Sequence, residues 1–447
     1  METKNIAIVG AGLVGSLLGI YLAKRGHKVS IYERRSDMRK EAIVAGRSIN
    51  LALSDRGIKA LKEVGIADEV MRIAIPMPGR MIHNKDGATA FQPYGKEGQA
   101  INSVSRGELN KKLMDLAEQH GIEIYFNRKC DKIDWNKNEI TFYNNDASEK
   151  VVADLIFAAD GAYSSARMQH MLHHNTFEYQ QFYIDCGYKE LSIPAGKGGS
   201  FLLDKNALHI WPRKDYMLIA LPNIEGSFTG TLFFPFEGDT SFDKLDTEEK
   251  VEQFFREEFA DVYKLIPDLT QQFFNNPTSS LVTVKCFPWI REDKFTLIGD
   301  AAHAIVPFFG QGMNCGFEDC SVLNELMEKY GDDWKNLLEE FQQLRKPDAD
   351  AIADMAVNNF TEMRDKVADP NFLLQKKIEA RLHDKYPDKW IPAYSQVTFS
   401  PQIRYSEALQ RGQRQEAIMQ EVMKMEDINE KWESEEVEEM IMKRVER

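Results

Sequence analysis

Glycines and carboxylates near the start of the chain have the types and the spacing that bind a dinucleotide. Gly10, Gly12 and Gly15 follow a short apolar run, and Glu33 ends the next one. In a dinucleotide-binding unit the first glycine allows a tight turn, the second admits a pyrophosphate, and the third lets helix and strand pack closely. Glu33 can accept hydrogen bonds from both hydroxyls of a ribose. It would repel the 2′-phosphate of NADP, although the adjacent Arg34 weakens that argument.

These residues need a strand, a glycine turn, a helix and a second strand to position them. The pattern predicts a strand at residues 6–9, a helix that ends near Arg25 and a strand at residues 27–32. The helix N-terminus would then offer free N–H groups to phosphates. Residues 5–23 carry no charge and are about long enough to cross a bilayer. The glycines among them favour a buried strand, turn and helix instead.

Two later segments also run from an apolar strand into an acidic turn. Asp160 follows apolar residues 153–159 and precedes a helix start, and Asp300 is predicted to end a strand, where it can bind a ribityl hydroxyl. The helix predicted to start at Met313 and Asn314, just after Gly312, can direct N–H groups at the O2/N1 side of a flavin and stabilise negative charge there. The chain has one complete GxGxxG, so we expect FAD to be resident and a pyridine nucleotide to bind transiently.

In order and spacing, the three motifs resemble those of the flavoprotein aromatic hydroxylases, the single-component FAD monooxygenases related to p-hydroxybenzoate hydroxylase. Other segments resemble the kynurenine 3-monooxygenase branch of that family. They are residues 46–54, 79–83, 92–95, 103–106, 209–213, 310–314, 316–320, 359–364 and 397–400. The resemblance extends from the first strand to about residue 410.

The resemblance implies an NADPH- and O2-dependent hydroxylation of L-kynurenine to 3-hydroxy-L-kynurenine through a flavin C4a-hydroperoxide, in tryptophan degradation or NAD biosynthesis. It implies that Arg80 and Tyr94 hold the substrate carboxylate and that Asn359 and Tyr394 complete the clamp. A guanidinium suits this task because it grips a carboxylate through two hydrogen bonds. The expected FAD contacts are Gly10, Gly12, Leu13, Val14, Gly15, Glu33, Arg34, Arg106, Cys130, Asp160, Asp300, Gly312, Met313 and Asn314.

Apolar residues in the middle of the chain alternate as they do on one face of an antiparallel sheet. We expect them to line the substrate pocket, although core packing also explains any one of them. The pocket set is Leu208, Met217, Ile219, Leu221, Thr231 and Phe233, together with Pro307, Phe308 and Gln311. The amino group of kynurenine activates its own ring, so no catalytic side chain is expected. His303, near Asp300, is therefore assigned a structural or FAD-adjacent role.

The predicted fold is α/β: a Rossmann-like FAD-binding domain with an inserted antiparallel sheet that binds substrate, followed by a helical C-terminal region. The FAD-binding domain is expected at residues 1–75, 101–180 and 286–330, substrate-domain strands at 76–100 and 181–285, and the helical region at 331–447. Helices are predicted at residues 334–345, 348–367 and 372–382. The apolar residues of 402–447 have helical spacing, and such a helix could cap the pocket, contact a partner or simply pack on one face.

Composition narrows the classes of function. Lys and Arg number 56 against 70 Asp and Glu, a net charge of −14 that argues against a broad nucleic-acid-binding face. The five cysteines form no CxxC pair, which argues against disulfides and a metal site and favours a reducing compartment. No C-terminal apolar run approaches a membrane span. Eukaryotic members of the family carry such an anchor, so we expect a bacterial-type, cytoplasmic monomer or homodimer.

Two alternatives stay open at this point. The first is an FAD hydroxylase of another aromatic acid, such as a salicylate-type phenol, which would need a base or donor facing the phenolic oxygen. The second is a non-catalytic FAD-fold protein that binds a partner. The intact set of Gly10, Gly12, Gly15, Glu33 and Asp300 argues against the second.

Overall fold

The computed structural model describes residues 2–40, 49–144, 147–363 and 369–445. Parts of two segments that carry the family resemblance, residues 46–48 and Arg364, lie outside these ranges, as does the end of the helix predicted at 348–367. The strands are β1 (Asn5–Val9), β2 (Lys28–Tyr32), β3 (Asn50–Leu53), β4 (Ile75–Met77), β5 (Gly79–His83), β6 (Thr89–Pro93), β7 (Ile101–Ser105), β8 (Glu123–Tyr125), β9 (Lys129–Asp134), β10 (Glu139–Asn144), β11 (Ala147–Val152), β12 (Leu155–Ala158), β13 (Glu178–Ile193), β14 (Ala207–Arg213), β15 (Tyr216–Pro222), β16 (Phe228–Phe234), β17 (Ser279–Phe287), β18 (Ile290–Arg291) and β19 (Phe295–Leu297). The helices are α1 (Leu13–Lys24), α2 (Asp55–Glu63), α3 (Ala67–Met71), α4 (Arg106–Gln119), α5 (Ser165–Leu172), α6 (Glu248–Glu258), α7 (Ala260–Tyr263), α8 (Leu269–Asn275), α9 (Asp300–His303), α10 (Gly312–Tyr330), α11 (Trp334–Thr361), α12 (Pro370–Lys385), α13 (Ala393–Phe399), α14 (Tyr405–Val422), α15 (Ile428–Lys431) and α16 (Glu435–Val445).

A mainly parallel sheet brings the three predicted nucleotide motifs together. Its strand order is β18-β19-β12-β1-β2-β8, and β1 pairs in parallel with both β2 and β12. Strand β1 is buried, which explains an apolar run without alternation. The three neighbouring strands β1, β12 and β19 are parallel, so the turns that follow them lie at one edge of the sheet. Ligands of α/β sheets bind at that edge.

An antiparallel sheet lies beside this unit, with the order β17-β13-β16-β15-β14-β5-β6. Strand β13 pairs with β17 along its first part and with β16 along its second. The hairpin of β5 and β6 comes from much earlier in the chain and joins the sheet through a parallel pairing of β5 with β14. The residues predicted to alternate on one face of a sheet, from Leu208 to Phe233, lie in β14, β15 and β16.

The C-terminal helices differ from the prediction in two respects. Two helices were predicted around Pro347, but α11 is continuous through that proline. An internal proline costs a helix about 3 kcal/mol. Here Arg345 binds Glu318 at 2.6 Å and Asp319 at 2.7 Å, and Asp348 binds Arg404 at 3.0 Å. These contacts, of which the Arg345 pair with Asp319 is buried at both partners, hold the helix on both sides of the proline.

The C-terminal tail is three helices, α14, α15 and α16, rather than one. Ile418, Val422, Ile428, Val437 and Ile441 are buried in one apolar cluster with residues of α12. The segment therefore packs on one face, as one of the three alternatives for it expects. In the part of the chain that the structure describes, no helix has both the length and the apolar character that a bilayer crossing requires.

Candidate active site

Two adjoining cavities lie between the parallel and the antiparallel sheets. One, which we call the inner cavity, has a volume of about 270 Å³, and the other, the outer cavity, has about 370 Å³. Gly12, Arg106, Asp300 and Pro307 line both, so the two spaces meet there. The predicted FAD contacts that line at least one of them are Gly10, Gly12, Leu13, Val14, Glu33, Arg34, Arg106, Cys130, Asp160, Asp300, Gly312 and Met313.

The three N-terminal glycines are needed for three different reasons. Gly10 has φ of +105°, a conformation that favours glycine. A Cβ at Gly15 would lie 2.0 Å from the carbonyl oxygen of Gly10, so only glycine lets α1 start there. A Cβ at Gly12 would meet no protein atom within 4 Å. The N-terminus of α1 has no side-chain cap, so its N–H groups are available beside this open space. The geometry fits a pyrophosphate.

Glu33 lies at the outer cavity with its carboxylate already oriented. It accepts hydrogen bonds from the backbone N–H groups of Ala11 and Arg35, both at 3.0 Å. The remaining lone pairs of its oxygens are free to accept from ribose hydroxyls. Arg34, which lies beside it, also lines the outer cavity. The carboxylate therefore has the placement expected for the adenosine end of a dinucleotide.

Asp160 and Cys130 line the outer cavity but are less available. The carboxylate of Asp160 accepts hydrogen bonds from the Ser164 hydroxyl and, at 3.1 Å, from the N–H of Ala166. Asp160 thus holds the start of α5 in place, and burial raises its pKa. Cys130 is buried, which raises the pKa of its thiol well above the usual value. Both side chains shape the cavity wall.

The turn after β19 also departs from the prediction. Asp300 does not end the strand but begins α9, because Gly299 at φ of +60° redirects the chain. The N–H of Gly299 is held by the Asp319 carboxylate at 3.0 Å. The first residues of α10, Gly312 and Met313, line the inner cavity, and that helix N-terminus has no side-chain cap. Its N–H groups and positive dipole end face the space where a flavin ring would carry negative charge.

Asn314 and Gln311 do not line either cavity. Asn314 is buried, donates to the carbonyls of Ala52 and Gly310, both at 2.8 Å, and accepts from the N–H of Ser54 at 3.0 Å. Gln311 is also buried and accepts a hydrogen bond from the Tyr405 hydroxyl at 2.9 Å. Both side chains hold the loop that leads into α10 rather than facing a ligand.

Arg80, Tyr94 and Tyr394 meet at the inner cavity, although they come from β5, the residue after β6, and α13. The guanidinium carbon of Arg80 lies 5.2 Å from the ring centre of Tyr94 and 5.1 Å from that of Tyr394. The two rings stack at 5.0 Å. Within the described ranges, Arg80 Nε and the Tyr94 hydroxyl are buried and have no hydrogen-bond partner, and burial raises the pKa of Tyr94 well above its usual value. The Arg80 N–H and the Tyr94 hydroxyl are therefore available to donate hydrogen bonds to a ligand.

Asn359, predicted to complete that clamp, is placed differently. It is buried and does not line the inner cavity; its side-chain amide donates to the carbonyl of Phe308 at 2.6 Å. Phe308 does line the cavity, with its ring 4.9 Å from that of Phe233. Asn359 therefore supports the cavity wall from behind. The sequence shows that this residue is polar, but it does not show which distant carbonyl it meets.

The predicted apolar residues of β14, β15 and β16 share one wall of the inner cavity. In the sheet, Met217 is opposite Phe233 and Ile219 is opposite Thr231. The predicted pocket residues that line the cavity are Leu208, Met217, Ile219, Leu221, Thr231, Phe233, Pro307 and Phe308. Phe309 and Met363 also line it but were not predicted. Each lies in or beside a segment that carries the family resemblance, which is the signal that could have identified them.

His303 is buried away from both cavities. Its Nε2 lies 2.7 Å from an oxygen of Asp319, and its Nδ1 lies 3.8 Å from the sulfur of Cys315. Burial works against the charged imidazole, but the Asp319 carboxylate outweighs it and holds the pKa of His303 well above its usual range. His303, Cys315 and Asp319 are close enough to ligate a metal. The Arg345 guanidinium already provides a cation there, 2.7 Å from Asp319 and 3.4 Å from Cys315 Sγ.

Comparisons with known proteins identify the family and the fold. A family model described as an FAD binding domain matches residues 3–356. The kynurenine 3-monooxygenase of Flavobacterium johnsoniae is 54% identical over 447 residues, which is 99% of this chain and 99% of the relative. That of Christiangramia forsetii is 52% identical over 445 residues, which is 99% of this chain and 98% of the relative.

Among solved structures, the tetrameric form of 2-methyl-3-hydroxypyridine-5-carboxylic acid oxygenase has a similar fold. It aligns with a TM-score of 0.68 at 21% identity and covers 86% of this chain and 98% of its own. This likeness concerns the fold alone. The identity to the two bacterial relatives, over nearly their whole length, decides the family. The chain belongs to the kynurenine 3-monooxygenase family of FAD-binding proteins.

Proposed function

We propose that the protein hydroxylates L-kynurenine at ring position 3, with FAD as resident cofactor, NADPH as reductant and O2 as the source of oxygen. The observation that carries this proposal is that Arg80, Tyr94 and Tyr394, each partly buried, meet at an apolar cavity that adjoins the proposed dinucleotide site. The names and the full-length identity of the relatives support it.

Residues that line the two cavities suit each part of an FAD molecule. Gly12 and the N-terminus of α1 suit the pyrophosphate, Glu33 the ribose of adenosine, and Asp300 the ribityl chain. The N-terminus of α10 suits the carbonyl side of the flavin ring. When bound, FAD supplies the activation of O2 for transfer to an aromatic carbon.

Arg80 and its two tyrosines suit the α-carboxylate of kynurenine. Arg80 Nε and the Tyr94 hydroxyl are buried and have no partner in the part of the chain that the structure describes, which is unfavourable unless a ligand accepts from them. A carboxylate between a guanidinium and two phenols would form charge-assisted hydrogen bonds. The ring of the substrate would then lie along the wall that includes Phe233 and Phe308.

The same wall limits access of water to the site of oxygen transfer. Leu208, Met217, Ile219 and Leu221 contribute apolar side chains there, and a dry site protects a reactive oxygen species from side reactions. A protein base is not required, because the aniline nitrogen of kynurenine donates electron density to the carbon that reacts. His303 is placed in agreement with this, since it lies behind the wall rather than in the cavity.

NADPH would reach the flavin transiently from the surface, because the chain offers one GxGxxG unit and FAD would fill it. A cytoplasmic location is part of the proposal. The structure describes all five cysteines; each is buried and none is joined to another by a disulfide, which suits a reducing compartment. Tryptophan breakdown, or NAD synthesis from it, is the metabolic setting that this activity would serve.

The decisive experiment is NADPH oxidation by the purified holoenzyme with and without L-kynurenine, with the product identified by mass. We expect strong stimulation and a product that has gained one oxygen atom. Kynuramine, which is kynurenine without its carboxylate, serves as the matched control and should stimulate weakly. Stimulation by salicylate instead would indicate a hydroxylase of another aromatic acid. A colourless protein without a flavin spectrum would indicate a non-catalytic member.

A further inference from the structure

Arg56, on α2, is a buried arginine that neither lines a cavity nor enters the proposed chemistry. Its guanidinium binds Glu318 at 2.5 Å. It also donates to the backbone carbonyls of Val397 at 2.7 Å, Gln396 at 3.2 Å and Ser400 at 3.4 Å, and to that of Ile403. One side chain thus satisfies four carbonyls of a single short stretch.

Those carbonyls belong to the end of α13 and the turn after it. The last carbonyls of a helix have no partner within the helix, and a cation near them is favourable. Helix α13 has only seven residues, too few to be stable without tertiary contacts. It carries Tyr394, the clamp residue that faces Arg80. The position of Tyr394 in the inner cavity therefore depends on what holds the end of α13.

Arg56 is also connected, through Tyr405, to the residue that precedes α10. Its guanidinium carbon lies 4.0 Å from the ring centre of Tyr405, a cation–π contact. The hydroxyl of Tyr405 donates to Gln311 at 2.9 Å, and Gln311 immediately precedes the first residue of α10. One guanidinium is thus connected to the substrate clamp and to the helix start that faces the flavin site.

We propose that Arg56 is a positioning residue for the substrate carboxylate: it fixes α13 so that Tyr394 lies against Arg80. This inference rests on the proposed function. It is separable from a general role in stability, because other bonds hold α13 together. Gln396 donates to the carbonyl of Ile391 at 2.7 Å, and Ser400 donates to that of Ser395 at 3.2 Å. Glu318 keeps Arg345 as a partner at 2.6 Å when Arg56 is absent.

The test compares two ligands in the holoenzyme of Arg56→Met without NADPH, by titration of the flavin absorbance. We expect the Kd of L-kynurenine to rise about tenfold or more. The Kd of kynuramine should change by less than about twofold, because that ligand has no carboxylate for the clamp. In a Tyr394→Ala background, Arg56→Met should have little further effect on kynurenine. Arg56→Lys, which keeps the charge but loses the planar fork, should be intermediate.

Arg39→Met provides the matched control. Arg39 also holds several acidic partners, Asp37 at 2.8 Å, Asp115 at 2.9 Å and Glu118 at 2.6 Å, but it contacts no clamp residue. Its loss should leave the kynurenine affinity unchanged. If Arg56→Met does not retain flavin, the same ligand comparison is made with Arg56→Lys.

Equal weakening of both ligands, or additivity with Tyr394→Ala, would overturn the inference. So would unchanged kynurenine affinity in a flavin-loaded Arg56→Met. A wild-type protein that fails to bind kynurenine would instead overturn the proposed function, and the inference with it. The two failures are therefore distinguishable in the same titration.

Discussion

The side-chain amide of Asn359 donates a 2.6 Å hydrogen bond to the backbone carbonyl of Phe308. The donor is near the C-terminal end of a long helix, and the acceptor is in the turn that forms one wall of the inner cavity. The ring of Phe308 also packs against that of Phe360, which is on the same helix as Asn359, with 4.3 Å between the ring centres. The end of α11 and the cavity wall are therefore held together at two neighbouring points.

Asn359→Ala should loosen that wall without removing a substrate contact. We expect kcat for hydroxylation to fall severalfold and a larger share of NADPH oxidation to end as H2O2, because water gains access to the site. The kynurenine Kd should change much less than in an Arg80 variant. Product and H2O2 yields per NADPH measure this. Fully coupled turnover with a large loss of kynurenine affinity would show that Asn359 binds the substrate directly.

Arg80→Ala removes the buried cation of the clamp. We expect the kynurenine KM to rise about a hundredfold, as for loss of a charge-assisted pair worth roughly 3 kcal/mol, while FAD stays bound. Steady-state kinetics and the flavin spectrum check the two parts. Arg80→Lys, which retains the charge without the fork, should recover part of the affinity. Unchanged kynurenine affinity in Arg80→Ala would contradict the clamp.

Gly12→Ala and Gly15→Ala form a matched pair that should differ in the stability of the apoprotein. A Cβ at Gly15 would lie 2.0 Å from the Gly10 oxygen, whereas one at Gly12 meets no protein atom within 4 Å. Gly15→Ala should therefore destabilise the apoprotein, and Gly12→Ala should leave its Tm nearly unchanged. Both should weaken FAD binding, Gly12→Ala because the methyl group enters the space of the pyrophosphate. Thermal unfolding and FAD titration distinguish the pair. Normal FAD affinity in Gly12→Ala would place the phosphates elsewhere.

The pair of His303 and Asp319 should make stability depend on pH. Burial disfavours both charges, but their 2.7 Å contact outweighs it, so the pKa of His303 lies above 6.5 and that of Asp319 below 3.8. The contribution of His303 to the free energy of unfolding is complete below its ordinary pKa. It is lost as pH rises through the raised pKa. The contribution of Asp319 to the free energy of unfolding is complete above its ordinary pKa. It is lost as pH falls through the lowered pKa.

The difference in unfolding free energy between wild type and Asp319→Asn should therefore be largest between the two ordinary pKa values, 3.8 and 6.5, and smaller on either side. Breaking a buried pair typically costs about 3 kcal/mol or more. Urea unfolding of the holoenzyme at several pH values measures this. Glu340→Gln, which breaks an exposed pair with Lys329, should have little effect at any pH. A difference that does not vary with pH would refute the assignment.

Local patterns were enough to predict the elements that bind the nucleotide. A strand, three glycines and an acid follow one another within a short segment, so each element is specified by its own residues. The alternating residues Met217, Ile219, Thr231 and Phe233 predicted a shared face because the strand period is two. The structure places these four side chains on one wall of the inner cavity.

Contacts between distant segments could not be predicted in the same way. The polarity of Asn314 and Asn359 is visible in the sequence, but their partners are backbone carbonyls far along the chain, and carbonyls carry no sequence signal. Pro347 predicted a helix break by a local rule, and the buried ion pairs of Arg345 overrode it. Asp300 was assigned to a strand end because the positive φ of Gly299 is a property of the folded turn.

The order in which the clamp residues occur in the chain has a consequence for synthesis on the ribosome. Every element that lines the outer cavity, and the start of α10, is complete before Tyr394 emerges, since that residue lies on α13. A nascent or C-terminally truncated chain could therefore hold flavin before it can recognise a carboxylate. On the proposed function, the site for FAD is therefore expected to form before the carboxylate clamp, which is complete only once α13 has docked.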